Sequence, residues 1–177
     1  DLSGQTVVVT GAAGGIGLAI AEAVREAGAN LVMSDVDGAR LAIEAERLQA
    51  QGHGALRGMV ADVGDPDQVE ALIDAALQRH GAIDAVFANA GVSAGRGFLA
   101  DEGRLDNVEL EAWERVLRIN LNGVLATLRA AARPMKARRS GRIVVTSSIA
   151  GLRAEAMSGY AYVASKAAVN NLVRQAA

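Results

Sequence analysis

The chain has 177 residues, of which 51% are hydrophobic and 21% charged, which fits one globular domain over residues 1–177 and excludes an intrinsically disordered protein. Its 18 basic and 20 acidic residues are interspersed and leave a net charge of -2, so nothing favours nucleic acid as a partner. There is no cysteine, which excludes a disulfide framework, a thiolate nucleophile and a zinc–thiolate site.

The sequence shows neither a membrane segment nor an export signal. No apolar stretch reaches the roughly 20 residues that cross a bilayer. Residues 1–4 also lack the basic and apolar regions of a signal peptide. We therefore expect a cytoplasmic protein that does not enter a membrane.

Short apolar runs rich in β-branched residues alternate with longer amphipathic segments along the chain. The apolar runs predict five buried strands, at residues 5–10, 30–34, 55–60, 83–88 and 142–146. Helices are predicted at 15–27, 37–51, 65–80 and 108–136, and a last one begins near residue 157 and continues at residue 177. Asp65 and Pro66 form a typical helix start, and Pro134 is a candidate for a local perturbation of the long helix.

This alternation, with continuous apolar strands, predicts an α/β fold in which helices cover both faces of a parallel sheet. Right-handed crossovers make it a doubly wound (Rossmann) sheet with strand order 3-2-1-4-5. In such a sheet, ligands bind beyond the carboxyl ends of the strands. Polar residues or glycine follow all five predicted strands: Gly11, Asp35, Asp62, Asn89 and the pair Ser147-Ser148. Their convergence on one edge predicts a ligand site there.

Three glycines, Gly11, Gly15 and Gly17, lie between the first strand and the first helix. Glycines let the backbone approach a pyrophosphate, and the helix N-terminus offers unpaired N–H groups and a positive dipole. The glycine spacing alone is equally compatible with a plain strand-to-helix turn. The strand before it, the helix after it and Asp35, eighteen positions beyond Gly17, favour dinucleotide binding.

The residues around the end of the second strand predict which dinucleotide binds. A carboxylate at Asp35 would accept hydrogen bonds from the adenine ribose hydroxyls and repel a 2′-phosphate. Val36 follows it and Gly14 precedes Gly15, so we expect no cation to hold that phosphate. NAD is therefore predicted in preference to NADP. The alternative is a solvated Asp35 that caps the next helix, although Asp37 is the better candidate for that cap.

Tyr162 and Lys166 are four residues apart in the last predicted helix and therefore share one of its faces. A lysine beside a phenol favours the phenolate, and a phenol tuned in this way can take a proton from an alcohol near neutral pH. Combined with a dinucleotide site, the pair predicts an alcohol dehydrogenase or carbonyl reductase that uses a nicotinamide cofactor.

Taken together, the motifs resemble those of the short-chain dehydrogenase/reductase family, and the resemblance covers the whole chain. The matching segments are Thr10-Gly11 with Gly15-Ile16-Gly17, Asp62-Val63, Asn89-Ala90-Gly91, Asn120, Ser147-Ser148, and Tyr162 with Lys166. The family often has paired asparagines before Ala-Gly, whereas Ala88 precedes Asn89 here. That departure leaves the main asparagine in place.

The resemblance implies hydride transfer between NAD and a small-molecule secondary alcohol or ketone. Tyr162 would be the general acid/base, and Lys166 would assist it and hold the nicotinamide ribose. Ser148 would orient the substrate oxygen, and Asn120 would hold a water that relays protons. These four residues are the predicted catalytic set.

The resemblance also implies which residues contact the cofactor. Asp62 and the backbone of Val63 would contact the adenine, and Asn89 would support the ribose region. No metal site is predicted. The complete predicted cofactor set is Gly11, Gly15, Ile16, Gly17, Asp35, Asp62, Val63, Asn89, Ala90, Gly91, Tyr162 and Lys166.

Several assignments have alternatives in neighbouring residues. Ser147 is the alternative to Ser148. Asn122 is the alternative to Asn120, which only its position in the family pattern selects. Tyr160 has no lysine four residues on, so it is interpreted as a buried or interfacial aromatic.

The remaining charged residues are interpreted as surface groups. His53 and His80 lie in or beside predicted turns, and both are expected to be solvated. The basic residues between positions 129 and 142 are expected to form a solvated helix C-terminus that complements the helix dipole.

The resemblance implies further strands and helices after the helix that carries Tyr162, including a mobile substrate-binding segment. The chain stops at Ala177 within that helix, so the fold is expected to lack the usual C-terminal strands of the family. The loop 91–107 is longer than usual. It is either a wall of the substrate pocket or a surface excursion, and both interpretations stay open.

Apolar residues on more than one side of helices 108–136 and 157–177 predict a subunit interface. The family commonly forms dimers or tetramers through these two helices, so we expect a homodimer or homotetramer. The alternative function is a non-catalytic dinucleotide-binding or scaffolding module. The intact set of Asn120, Ser148, Tyr162 and Lys166 argues against that alternative.

Overall fold

The computed structural model describes residues 1–51 and 54–177, and His53, interpreted above as solvated, lies outside them. The strands form one parallel sheet and are β1 (Thr6–Thr10), β2 (Asn30–Asp35), β3 (Leu56–Val60), β4 (Ala85–Ala88) and β5 (Arg142–Val145). Their order across the sheet is β3-β2-β1-β4-β5. The predicted doubly wound α/β fold and its strand order are confirmed.

Helices follow each of the strands. In chain order they are α1 (Gly15–Glu26), α2 (Gly38–Gln49), α3 (Pro66–His80), α4 (Leu110–Leu117), α5 (Gly123–Arg138) and α6 (Tyr160–Ala176). The side chain of Asp65 caps α3, and that of Asp37 caps α2 by accepting the N–H of Arg40. Gly81 ends α3 in a left-handed conformation with φ 74°. Within the described residues, no helix has the length and apolar content that a membrane span requires.

The long helix predicted at 108–136 is not a regular α-helix throughout. α4 ends at Leu117, the turn Arg118–Asn122 is π-helical, and α5 continues to Arg138. A π turn contains one extra residue, which shifts the apolar periodicity too little to be recognised in the sequence. Pro134 lies inside α5 and does not end it.

α6 begins at Tyr160, later than the predicted start near residue 157. Gly159 is extended, with φ -67° and ψ 155°. A Cβ on Gly159 would lie only 2.3 Å from the carbonyl oxygen of Ala94. This close approach of two backbones holds the chain out of helical geometry until Tyr160.

The core lies on both faces of the sheet and is best seen from β1. Val8 packs in the cluster that contains α3 and α5 residues, and Val7 and Val9 pack in the cluster that contains α1 and α2 residues. The edge strands are less covered, since Val60 is 62% exposed and Val144 is 46% exposed. The predicted cover by helices on both faces is therefore confirmed, and it is complete for the central strand and thinner at the edge strands.

The basic residues of α5 make specific ion pairs. Arg129 and Arg133 both pair with Glu70 of α3, and Arg138 pairs with Asp84 just before β4. The two arginines that contact Glu70 are more than half exposed. The exposure of these arginines confirms the prediction of a solvated surface. That prediction did not include the ion pairs that join α5 to α3.

His80, at the end of α3, is predicted above to be solvated, but the structure shows it to be only partly exposed. Its side chain is half-buried, and its Nε2 atom has no hydrogen-bond partner among the described residues. Burial, and then the nearby charge of Arg79, lower the pKa of His80 below its ordinary value. Both effects favour the neutral form of the ring.

Candidate active site

A cavity of about 660 Å³ opens at the carboxyl ends of the strands, a size within the range of roughly 300–1,000 Å³ that is usual for ligand sites. The predicted site residues that line it are Gly11, Gly15, Ile16, Asp35, Asp62, Val63, Asn89, Ala90, Gly91, Tyr162 and Lys166. Gly17, Asn120 and Ser148 lie outside this lining. The structure thus brings most of the predicted residues to one cavity.

A second, larger cavity of about 890 Å³ lies between the loop after β4 and the helices α4 and α6. Trp113 and Tyr160 are part of its wall, whereas the predicted catalytic and cofactor residues are not. Among residues 1–51 and 54–177, no three His, Asp or Glu side chains are placed to hold a metal. We therefore take the 660 Å³ cavity as the candidate active site.

The glycine turn between β1 and α1 needs its glycines for two different reasons. Gly11 and Gly15 have positive φ angles of 66° and 53°, which L side chains adopt only with strain. Gly17 is required for packing, because a Cβ there would lie 2.0 Å from the carbonyl oxygen of Gly11. Gly14 provides no side-chain cap for α1. An open helix N-terminus behind a tight glycine turn fits a pyrophosphate.

Asp35 ends β2 and faces the glycine turn. Its Oδ2 accepts the N–H of Ala13 at 3.0 Å, and its Oδ1 accepts the N–H of Asp37 at 3.1 Å. The expectation of no cation at this end of the cavity is wrong, because Arg40 lines the cavity beside Gly14. The positions next to Asp35 in the chain carry no positive charge, but the first turn of α2 brings Arg40 back over the glycine turn.

Asp62 connects the end of β3 to the π turn. Its Oδ2 accepts a hydrogen bond from Arg118 Nη1 at 2.9 Å, and its Oδ1 accepts the N–H of Gly64 at 2.8 Å. Partial burial alone would raise the pKa of Asp62, but the hydrogen bonds from Arg118 and Gly64 outweigh it and hold the pKa below its ordinary value. Arg118 was not predicted from the sequence, since its partner is distant along the chain.

Asn89 joins the ends of three strands. Its Nδ2 donates to the carbonyl oxygen of Thr10 at 3.1 Å, and its Oδ1 accepts from Thr146 Oγ1 at 2.9 Å. The hydroxyl of Thr10 in turn accepts the N–H groups of Asn89 and Ala90. Thr10 was named above only as part of a matching segment and given no role, and Thr146 was not predicted as a site residue. Their signal in the sequence is a threonine at the end of an apolar strand.

Asn120 is fully buried in the π turn. Its Oδ1 accepts the N–H of Val92 at 2.8 Å, and its Nδ2 donates to the carbonyl oxygen of Val92 at 2.8 Å and to Ser165 Oγ at 3.2 Å. Ser165 Oγ donates to the carbonyl oxygen of Tyr162 at 2.8 Å. The side chain of Asn120 therefore links the loop after β4 to α6, while its role in holding a water stays a prediction.

Tyr162 and Lys166 lie on the same face of α6, and the Lys166 Nζ atom is 5.7 Å from the centroid of the Tyr162 ring. Lys166 is only 3% exposed, and its Nζ donates to the carbonyl oxygen of Thr146 at 2.8 Å. Burial lowers the pKa of Lys166 below its ordinary value. The phenol and the amine are thus both presented to the cavity, with the amine held against the end of β5.

The two serines after β5 have different environments. Ser147 Oγ donates to Asn170 Oδ1 at 2.7 Å, so its proton is already used inside the protein. Ser148 Oγ accepts the N–H of Ala150 at 3.1 Å, and its own proton has no acceptor among the described residues. Ser148 therefore retains a hydroxyl proton for a ligand but lies outside the cavity lining, whereas Ser147 lines the cavity with its proton already donated.

The loop 91–107 contains two short 3₁₀ turns, Asp101–Gly103 and Leu105–Asn107. A Cβ on Gly97 would lie 1.7 Å from the carbonyl oxygen of Ala156, so the loop packs tightly against the segment that leads into α6. Phe98 and Leu99 are 45% and 78% exposed. These contacts place the loop beside α6, and both interpretations of its role stay predictions.

The short chain dehydrogenase family model matches residues 5–177. Over 98% of its length the chain is 42% identical to cis-4-hydroxycyclohexanecarboxylate dehydrogenase of Sinomonas cyclohexanicum, of which it covers 66%. It superposes with a TM-score of 0.90 and 36% identity on a short-chain dehydrogenase/reductase from Burkholderia phymatum in complex with NAD, covering 98% of this chain and 59% of that one. With NAD-bound xylitol dehydrogenase the TM-score is 0.91 and the identity 31%, covering 100% of this chain and 65% of that one.

The chain thus spans less than two thirds of the length of each of these relatives. The match nevertheless includes both the glycine turn after β1 and the helix that carries Tyr162 and Lys166. Both lie in the segment that the family model describes. The chain belongs to the short-chain dehydrogenase/reductase family.

Proposed function

We propose that the protein is an oxidoreductase that transfers a hydride between NAD and a secondary alcohol or ketone, with Tyr162 as the general acid/base. The observation that carries the proposal is that Tyr162 and Lys166 line the same cavity as the glycine turn and Asp35. Alcohol oxidation removes a hydride from carbon and a proton from oxygen, so a hydride acceptor and a proton acceptor must meet at one substrate. This cavity offers a place for both.

The hydrogen-bond donors and acceptors that line the cavity match the polar groups of NAD. The pyrophosphate would lie at the open N-terminus of α1, against the turn that contains Gly11 and Gly15. Asp35 would accept hydrogen bonds from the adenine ribose, and Asp62 and Val63 would contact the adenine. NAD, when bound, supplies the nicotinamide carbon that exchanges the hydride. Similar solved structures contain NAD, which supports this choice.

The protein side of the reaction is proton transfer and orientation. We assign proton abstraction from the substrate hydroxyl to the oxygen of Tyr162. The Nζ of Lys166 is 5.7 Å from the ring centroid, so the amine lies beside the phenol that carries out this step. Ser148 has a hydroxyl proton available to hold the substrate oxygen. Asn120 acts as a positioning residue through Val92 and Ser165.

The substrate class follows from the same arrangement and from one relative. A phenol that exchanges a proton beside a hydride acceptor suits a secondary alcohol or its ketone. The relative at 42% identity is named for an alcohol on a cyclohexane ring. We therefore propose that cyclic secondary alcohols and ketones should be the first substrates tested.

The proposal is tested by incubating the protein with NAD and a panel of cyclic secondary alcohols and following the absorbance of reduced cofactor. Turnover should be seen with the wild type and lost in Tyr162→Phe, which should still bind NADH with an affinity close to that of the wild type. Tyr160→Phe is the matched control and should retain turnover. Near-full activity in Tyr162→Phe would overturn the assignment. Binding without any turnover on a broad panel would instead support a non-catalytic module.

We further propose that the protein forms a homodimer or homotetramer through α4, α5 and α6. Leu125 on α5 is 50% exposed, and Leu128 on the same helix and Leu121 in the π turn before it are only partly buried. Apolar side chains left partly exposed along a helix are typical of an interface between subunits. Light scattering on the purified protein should give a mass of two or four chains, and Leu125→Glu should lower it.

A further inference from the structure

Ser147 is held in one orientation by Asn170, a residue of α6 to which the proposed function gives no role. Its Oγ donates to Asn170 Oδ1 at 2.7 Å. Asn170 is four residues beyond Lys166 and therefore lies on the same face of α6. Lys166 Nζ donates to the carbonyl oxygen of Thr146 at 2.8 Å. Two consecutive residues just after β5 are thus bound by two consecutive turns of α6.

The turn that follows Ser147 packs closely against the same part of α6. A Cβ on Gly151 would lie 2.6 Å from Nδ2 of Asn170 and 2.6 Å from the carbonyl carbon of Lys166. The 3₁₀ turn Ile149–Gly151 therefore lies directly against α6 between Lys166 and Asn170. The nitrogen end of the Asn170 amide faces this turn, and its oxygen end faces Ser147.

The bond to Asn170 limits the hydrogen bonds that Ser147 can still make. A hydroxyl has one proton and two lone pairs, and Ser147 donates its proton to Asn170. Ser147 also lines the candidate active site, whose wall includes Thr146, Tyr162 and Lys166. From a group in the cavity it can therefore only accept a hydrogen bond. A ketone oxygen or an alkoxide cannot supply that bond, because neither has a proton to donate.

The nicotinamide end of the cofactor carries a group with the required polarity. Hydride transfer brings the nicotinamide ring beside the substrate oxygen on which Tyr162 would act. The carboxamide amino group is the hydrogen-bond donor of that ring. Ser147 follows Thr146, which binds Lys166, so its acceptor oxygen belongs to the part of the cavity wall that contains the proton-transfer residues.

We propose that Ser147, oriented by Asn170, accepts a hydrogen bond from the nicotinamide carboxamide and so holds the ring for hydride transfer. The inference rests on the proposed function, because it takes the cavity to be the dinucleotide site. Ser147 is then a cofactor-binding residue, and Asn170 is a positioning residue that acts through it. The two serines after β5 have opposite roles, since Ser147 accepts a proton and Ser148 retains one to donate.

The test compares two reduced dinucleotides that differ only at the carboxamide. NADH has the amino group, and reduced 3-acetylpyridine adenine dinucleotide has a methyl group in its place. Calorimetric titration without substrate gives both dissociation constants. Ser147→Ala should bind NADH about fivefold more weakly than the wild type, whereas its affinity for the analogue should stay within about twofold. Because the analogue still binds, a loss confined to NADH cannot come from misfolding.

Asn170→Leu tests the positioning role. It leaves the proton of Ser147 without its acceptor, so the preference for NADH over the analogue should decrease, although Asn170 is not part of the cavity wall. Asn170→Asp keeps an acceptor for that proton and should restore the preference. Asn171→Leu is the matched control, because Asn171 is the exposed neighbour of Asn170, and it should leave both affinities unchanged.

Three results would overturn the proposal or one of its parts. Equal weakening of both dinucleotides in Ser147→Ala would mean that Ser147 contacts a group common to both, such as a ribose hydroxyl. Unchanged affinity of Ser147→Ala for both would mean that it contacts neither. If Asn170→Leu and Asn170→Asp behaved alike, Asn170 would not act through its oxygen. Failure of the wild type to bind either dinucleotide would instead overturn the proposed function itself.

Discussion

The side-chain amide of Asn120 binds both polar backbone groups of Val92, each at 2.8 Å. The amide binds the backbone of Val92 as a neighbouring strand would. It fixes the chain just after β4, where the loop 91–107 begins. Through Ser165 the same side chain reaches the carbonyl oxygen of Tyr162. One buried amide thus sets the relative positions of the loop, the π turn and the helix that carries Tyr162.

Asn120→Leu should lower the free energy of unfolding by about 1–3 kcal/mol, because it leaves the N–H and C=O of Val92 without partners. Urea unfolding measures the change. Asn122→Leu is the matched control in the same π turn, since Asn122 is exposed, and its effect should be below about 0.5 kcal/mol. Equal effects of the two changes would contradict the structural role of Asn120.

Gly17→Ala should be far more damaging than Gly15→Ala. At Gly17 a Cβ would lie 2.0 Å from the carbonyl oxygen of Gly11, so α1 must move away from the turn. At Gly15 a Cβ meets nothing within 4 Å, and only the positive φ opposes it, at about 1–2 kcal/mol. Thermal unfolding should show the larger loss for Gly17→Ala. The reverse order would contradict the packing described for the turn.

The stability of the protein should depend on pH through Lys166. Because burial lowers the pKa of Lys166 in the folded state below its ordinary 10.5, the unfolded chain binds more protons in the window just below that value. Stability therefore rises with pH through this window. The unfolding free energy of the wild type, minus that of Lys166→Met, should increase between about pH 7 and pH 10.

Lys136→Met is the control for that measurement, since Lys136 is the other lysine of the chain and is exposed. Lys136→Met shows how the removal of an exposed lysine affects the unfolding free energy at each pH. If the difference in unfolding free energy between wild type and Lys166→Met did not depend on pH, Lys166 would have the same pKa in the folded and unfolded states, which would contradict the prediction.

The Asp62–Arg118 ion pair should contribute little to the free energy of unfolding. That contribution should be lost at acidic pH. Both side chains are partly exposed, 31% for Asp62 and 45% for Arg118, so Arg118→Gln should cost less than about 1 kcal/mol at pH 7. Because the folded-state pKa of Asp62 lies below its ordinary 3.8, this contribution is present above the ordinary value and disappears as the pH falls through the folded pKa.

Denaturant unfolding of wild type and Arg118→Gln at about pH 7 and pH 2.5 measures this loss. Arg115→Gln serves as the control, because Arg115 lines the same cavity without an ion pair among the described residues. A larger effect of Arg118→Gln at the lower pH would mean that Asp62 holds its proton more tightly in the folded chain than in the unfolded one.

Ser148 and Ser147 should respond differently to truncation. Ser148→Ala removes the hydroxyl proton that has no acceptor among the described residues, and it should lower kcat by about 10²–10³-fold. Ser147→Ala removes the hydrogen bond to Asn170 and should reduce stability by about 1 kcal/mol with little change in kcat. Steady-state kinetics and thermal unfolding on both variants separate the two roles. The opposite pattern would assign substrate orientation to Ser147.

The local sequence pattern was sufficient to predict the strands, their order and many of the residues that line the cavity. The apolar runs and the handedness of crossovers predict the sheet, and the observed order β3-β2-β1-β4-β5 agrees. Asp35 and Tyr162 could be placed because each lies at a strand end or on a helix face that the nearby sequence already defines. Such positions depend on backbone periodicity, which neighbouring residues carry.

The tertiary structure alone decided which distant groups the polar side chains meet. Asn120 and Val92 are separated by 28 positions, and Asn89 and Thr10 by 79. Arg40 reaches Gly14 only because β2 lies beside β1 and α2 folds back over the glycine turn. Hydrophobic periodicity records which side of an element is buried. It carries no information on the partner that a buried amide or a guanidinium finds there, because that partner is selected by packing between elements remote in the chain.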